Sequence, residues 1–178
     1  MERTARFRWP DLTEVLGSVP WAVAGAVATR LYMPERATAD LDIVIRAADA
    51  ADARRRFSQA GYAYTGELGI GGSAWMSPDG TRVEALERSD GWIEEALAQA
   101  AANRDPQGLP VLPLAYLVLM KLQASRAQDV GDLARMLGQA DEEALAAVRD
   151  LITREAPGDL EDLESLIQLG RLEIEEPS

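Results

Sequence analysis

Two aspartates stand one residue apart in an apolar stretch, Ala39-Asp40-Leu41-Asp42-Ile43-Val44-Ile45. On a β-strand, residues i and i+2 point to one face, so the two carboxylates lie side by side while Leu41 and Ile43 turn into a core. Two like charges beside an apolar run are costly unless a counter-charge is present. A hard divalent cation supplies that counter-charge, and carboxylates are among its preferred ligands. A strand whose polar face merely meets water is the plainer reading of the same spacing. A third acid repeats the pattern downstream, Glu84 in Val83-Glu84-Ala85-Leu86. Gly25 follows a short apolar run and opens a helix-forming stretch. A glycine there lets backbone N–H groups and the helix dipole approach a phosphate. The expected site thus sets a phosphate cradle opened by Gly25 beside the carboxylate pair Asp40 and Asp42, at the same end of adjacent strands, with Glu84 available as a third carboxylate and an ordinary solvent-facing strand residue as its plainer reading.

Composition narrows the chemistry further. The chain of 178 residues has no His and no Cys. That excludes a disulfide framework, a Cys or His zinc site and any histidine-activated nucleophile. Of 18 basic residues, 17 are Arg, and Lys121 is the sole lysine. Arg does not replace Lys where a compact point charge is required, so Lys121 becomes a candidate functional residue, with chance as the plainer reading. The net charge is −12, and it is uneven: residues 139–178 hold 3 basic and 12 acidic side chains. An acidic end of that kind is a poor surface for a nucleic-acid backbone and reads as a solvated helix face or a partner surface. No apolar run approaches the roughly 20 residues that span a bilayer, and Met1–Arg8 lacks the apolar core of a signal peptide. A cytoplasmic protein with no membrane attachment is expected.

The elements that must position these residues follow from periodicity and punctuation. Helices are predicted over Asp11–Val19, Ala26–Tyr32, Ala50–Ala60, Asp90–Ala101, Leu114–Ala124, Asp129–Leu137 with Gly138 as its stop, Asp141–Arg154 and Asp159–Leu169. Residues from Glu173 onward are expected to fray. Strands are predicted over Trp21–Ala24, Leu41–Ile45 and Tyr62–Thr65, and a hairpin of Ser73–Met76 and Arg82–Leu86 is predicted about Pro78-Asp79-Gly80. The Gly69–Gly72 stretch reads as a flexible loop. The four tryptophans read as core, and Arg54-Arg55-Arg56 as a solvated helix face. The order implies an α/β (α+β) fold, a mixed sheet with flanking helices over residues 1–110, and a helical C-terminal region over 111–178 packed on that core.

Three segments in this order resemble the DNA polymerase-β-type nucleotidyltransferase superfamily. They are Val23-Ala24-Gly25-Ala26, then Arg36-Ala37-Thr38-Ala39-Asp40-Leu41-Asp42, then the helix that carries Lys121 and continues through Arg126, Asp129 and Asp132. The Arg-x-Thr-x-Asp-x-Asp spelling is similar to the AbiEii-like branch, which includes toxins of toxin–antitoxin pairs. The resemblance implies transfer of a nucleoside monophosphate from an NTP to an RNA (such as tRNA) or protein acceptor, with an antitoxin as a further partner. It implies Mg2+ held by Asp40, Asp42 and Glu84, catalysis by these acids with Lys121, and nucleotide contacts from Gly25, Ala26, Arg36, Thr38, Arg126 and Asp129. Two positions depart from the pattern. Ala26 stands where Gly or Ser is usual and offers no hydroxyl to a phosphate, and Glu84 stands where Asp is usual, one methylene longer. Both leave open a second reading, a catalytically degenerate module that binds a nucleotide or a protein partner without turnover.

Overall fold

The computed structural model describes residues 8–124 and 127–175. The chain divides into two compact units, residues 1–28 with 35–112, and residues 29–34 with 113–178. The second unit therefore begins two residues beyond the expected boundary and borrows a short segment from the first half of the chain.

The first unit is built on one five-stranded sheet. Its strands are β1 (Trp21–Val23), β2 (Asp40–Arg46), β3 (Ala63–Glu67), β4 (Gly72–Met76) and β5 (Arg82–Arg88), in the spatial order β1-β2-β5-β4-β3. β2 and β5 run parallel, and every other pairing is antiparallel. The parallel pair has a physical origin in the sequence. β2 is β-branched and buried at alternate positions, and at Val44 as well, so it needs a neighbour on each edge and cover on both faces. Leu41, Ile43, Val83 and Ala85 are all fully buried on one face. Trp75 of β4 registers with Val83 and shares that face. It stacks on Phe57 of helix α3 (Ala50–Gln59), ring centroids 5.2 Å apart. Helix α3 therefore covers the face opposite the aspartates. Leu41, Ile43, Val83 and Phe57 each contribute about 1.5–3 kcal/mol on burial.

The remaining elements of this unit are a single turn α1 (Thr13–Leu16), the short α2 (Gly25–Thr29) and α4 (Ile93–Ala100). Helix α1 is shorter than the predicted Asp11–Val19 because Gly17, at φ +57°, ends it. The hairpin forms as expected, with the Ser77 amide donating to the Thr81 carbonyl at 2.8 Å and Asp79 inside the turn. The predicted loop at Gly69–Gly72 is a tight turn, and Gly72 itself opens β4. Trp9, Trp21, Trp75 and Trp92 are all buried.

The second unit holds α5 (Leu114–Ala124), α6 (Ala127–Gln139), α7 (Glu142–Glu155) and α8 (Leu160–Glu175). Asp141 caps α7, its carboxylate accepting from the Ala144 amide at 2.8 Å. Gly138 does not end α6; the helix continues through it. The reason lies across the interface, where a side chain on Gly170 would overlap the carbonyl oxygen of Ala134, and one on Gly138 would overlap that of Gly170. The two glycines let α6 and α8 cross backbone to backbone. That contact also carries α8 past the predicted end at Leu169 and keeps Glu173–Glu175 helical.

Gly170→Leu is expected to force α6 and α8 apart and to cost about 3 kcal/mol or more, the upper range for overpacking. Urea unfolding followed by circular dichroism measures it, against Gly158→Ala as a control at a position with open space around it.

Candidate functional site

The register of β2 on β5 decides where the acids lie. Asp42 is the partner of Glu84, and Asp40 is the partner of Arg82. Registered residues of a parallel pair share a face, and successive residues alternate. Asp40, Asp42 and Glu84 therefore stand on one face of two adjacent strands, which lie about 4.8 Å apart. All three are half-buried. Their hydrocarbon neighbours Leu41, Ile43, Val83 and Ala85 point the other way.

Gly25 sits directly against Asp42. β1 runs antiparallel to β2, so the end of β1 meets the start of β2, and the Ala24 amide donates to the Asp42 carbonyl at 2.9 Å. Gly25 follows at φ +60°, and any Cβ there would overlap the Asp42 carboxylate. Glycine is thus required twice, by backbone conformation and by space. This places Gly25, Ala26 and Asp42 together, as the sequence expects. Thr38 and Arg36 lie in the loop that leads into β2, both half-buried. The Thr38 hydroxyl donates to the Asp40 carbonyl at 3.4 Å, so it serves the strand entry.

Arg82, which sequence reasoning passed over, shares the acid face. Its Nε and Nη2 donate to Glu84 Oε1 at 2.9 and 2.8 Å. Its guanidinium is held above its ordinary pKa first by the Glu84 hydrogen bond, then by the charge of Glu84, and further by those of Asp40 and Asp42. Its signal in the sequence was the i, i+2 spacing to Glu84. Among the described residues, no three acidic side chains converge closely enough to hold a metal ion. Like charges separate, and Arg82 draws Glu84 toward itself. The donor set nevertheless suits a hard cation, because all three groups are carboxylates on one face.

Lys121 occupies a different setting. It is 5% exposed, in the last turn of α5, and its ammonium donates to Asp129 Oδ1 at 2.8 Å and Asp132 Oδ2 at 2.9 Å. The two aspartates are 1% and 3% exposed and sit three apart on α6, so both face the same neighbour. Both hold further interactions besides the ammonium. The charge that the sequence offers to a phosphate is used here to join two helices, and Asp129 is one half of that joint. Arg126 lies outside the described residues. Arg54, Arg55 and Arg56 are each paired with carboxylates, Arg54 with Glu67 and Glu87, the other two with Asp52. The second unit also carries an open cavity of about 520 Å³, with Arg30, Tyr32, Met33, Leu114 and Met136 in its wall. It gathers no set of groups able to carry out chemistry.

No protein-family model and no curated protein matches the chain. Several solved structures are similar to it. The antibiotic-resistance factor ANT(2'')-Ia in solution is 14% identical, at a TM-score of 0.48, over 92% of this chain and 93% of that one. The same protein crystallised with adenylyl-2''-tobramycin is 18% identical, at 0.44, over 88% and 89%. A Thermotoga maritima protein assigned as a nucleotidyltransferase is 18% identical, at 0.45, over 72% and 91%.

Lys121→Met is expected to take the ammonium away from two buried aspartates and to cost roughly 3–5 kcal/mol. The urea midpoint measures it, and the triple change Lys121→Met, Asp129→Asn, Asp132→Asn is expected to recover part of the loss.

Proposed function

We propose that the first unit is a nucleotidyltransferase module that moves a nucleoside monophosphate from an NTP to an acceptor oxygen, breaking the bond between the α- and β-phosphates and releasing pyrophosphate. The observation that carries this reading is the common face of Asp40, Asp42 and Glu84, with Gly25 pressed against Asp42. Backbone N–H groups at a helix start and carboxylates for a hard cation are the two things a bound triphosphate needs, and here they are neighbours. Mg2+ would be held by Asp40, Asp42 and Glu84, and it would supply charge neutralisation at the phosphates and activation of the acceptor oxygen.

The chain's own residues do the rest. Gly25 keeps the backbone close enough to Asp42 for one ligand to touch both. Ala26 extends the cradle through its amide alone. Glu84 would accept the acceptor's proton on this reading, which its shared face with the aspartates of the adjoining strand supports. Arg36 and Thr38 border the start of β2, and Arg36 is the side chain there with a guanidinium for a phosphate oxygen. Lys121 and Asp129 act as supports of the α5–α6 pair. An RNA or a protein is the acceptor on this reading, and an antitoxin-like partner fits the acidic C-terminal end. Two observations favour the second reading, binding without turnover: Ala26 lacks a hydroxyl, and Glu84 is already paired with Arg82.

Label transfer from α-labelled NTPs with Mg2+ to total RNA or to protein decides between them. Asp42→Ala is expected to lower transfer at least about 100-fold, which corresponds to roughly 2.7 kcal/mol of barrier. No transfer by the unaltered protein, with NTP still bound, leaves the binding module standing.

Ala26→Ser is expected to tighten NTP binding about 2- to 10-fold in calorimetry, the worth of one hydrogen bond of roughly 0.5–1.5 kcal/mol.

A further inference from the structure

We propose that Arg82 is the resident counter-ion of the acid face and that it couples binding of a divalent cation to binding of the nucleotide. The proposal rests on the reading of Asp40, Asp42 and Glu84 as cation ligands. Arg82 stands on β5 as the registered partner of Asp40 on β2, and its side chain binds Glu84 on its own strand. Both of its bonds go to one oxygen, Oε1 of Glu84. The field of Asp40 and Asp42 also reaches it.

Charge arithmetic gives the consequence. The three carboxylates and Arg82 sum to −2, against −3 without the arginine. A divalent cation arriving alone must therefore approach a face whose charge is already reduced by one, and it must share Glu84 with a guanidinium. A nucleotide triphosphate changes the balance. Its phosphates offer Arg82 a second anion of the geometry that guanidinium binds best. Arg82 can then leave Glu84 to the cation. Bare cation binds weakly, and cation with nucleotide binds well. The side chain is 40% exposed and Glu84 23%, so neither is locked by packing and the exchange needs only a side-chain rotation.

Arg82→Gln and Arg82→Lys test this with Mn2+ as the probe, followed by electron paramagnetic resonance, with and without a non-hydrolysable NTP analogue. Removing one positive charge close to a divalent ion is worth about 3- to 10-fold in water, the lower end at moderate salt. Arg82→Gln is expected to bind Mn2+ alone that much more tightly and to lose most of the enhancement that the analogue brings to the unaltered protein. Arg82→Lys keeps the charge and is expected to stay within about 2-fold of the unaltered protein for Mn2+ alone. Unchanged or weaker Mn2+ binding by a folded Arg82→Gln protein overturns the proposal, while loss of Mn2+ binding in Asp42→Ala still supports the carboxylate site. Mn2+ binding that is absent, or indifferent to Asp42→Ala, overturns both. Circular dichroism of each variant establishes that it is folded.

Discussion

Three carboxylates sharing one face of two adjacent strands are the constraint on which the first unit turns. A parallel pair in register fixes the backbones of Asp42 and Glu84 at the interstrand spacing, so only their side chains can turn apart. Their repulsion has to be met by something positive. In this structure Arg82 does so from the same strand as Glu84. The rest of the unit serves that arrangement: α3 and Trp75 cover the opposite face, so the apolar side of β2 and β5 is anchored and the polar side is free to present charge. Gly25 completes it by admitting backbone where any other residue would displace Asp42.

The second unit solves a different problem with a related device. Lys121, Asp129 and Asp132 form a buried ionic joint between α5 and α6, and such a joint adds little net stability over apolar packing while fixing how two helices meet. The glycines of α6 and α8 fix the other crossing by close approach. Charge and the absence of side chains thus set geometry where leucine alone, which packs in many ways, would leave several arrangements of similar energy.

Much of the candidate site was legible because its signals are local. The period of two puts Asp40 and Asp42 on one face whatever the strand pairs with, and Gly25 between an apolar run and a helix is a marker that needs no partner. Lys121 was conspicuous as the sole lysine, but its partners were not: burial and pairing depend on α6 folding back along α5. Gly138 read as a helix stop because glycine commonly follows the last turn. Its actual use depends on a residue 32 positions later, counted from 138 to 170. The arginine run at 54–56 read as a solvated face, and the carboxylate partners of Arg54 on β3 and β5 came together only in the fold.

By itself the sequence determined the period-two presentation of the acids, the punctuation that separates strands from helices, and the exclusion of histidine and cysteine chemistry. These are properties of short windows, governed by backbone sterics and side-chain type. Tertiary structure alone decided that β5 pairs parallel to β2, that Arg82 joins the acid face, and that the lone lysine is spent inside a helical joint. Those outcomes depend on register and burial between distant segments, where the energy of a charge is set by neighbours that local spacing does not name.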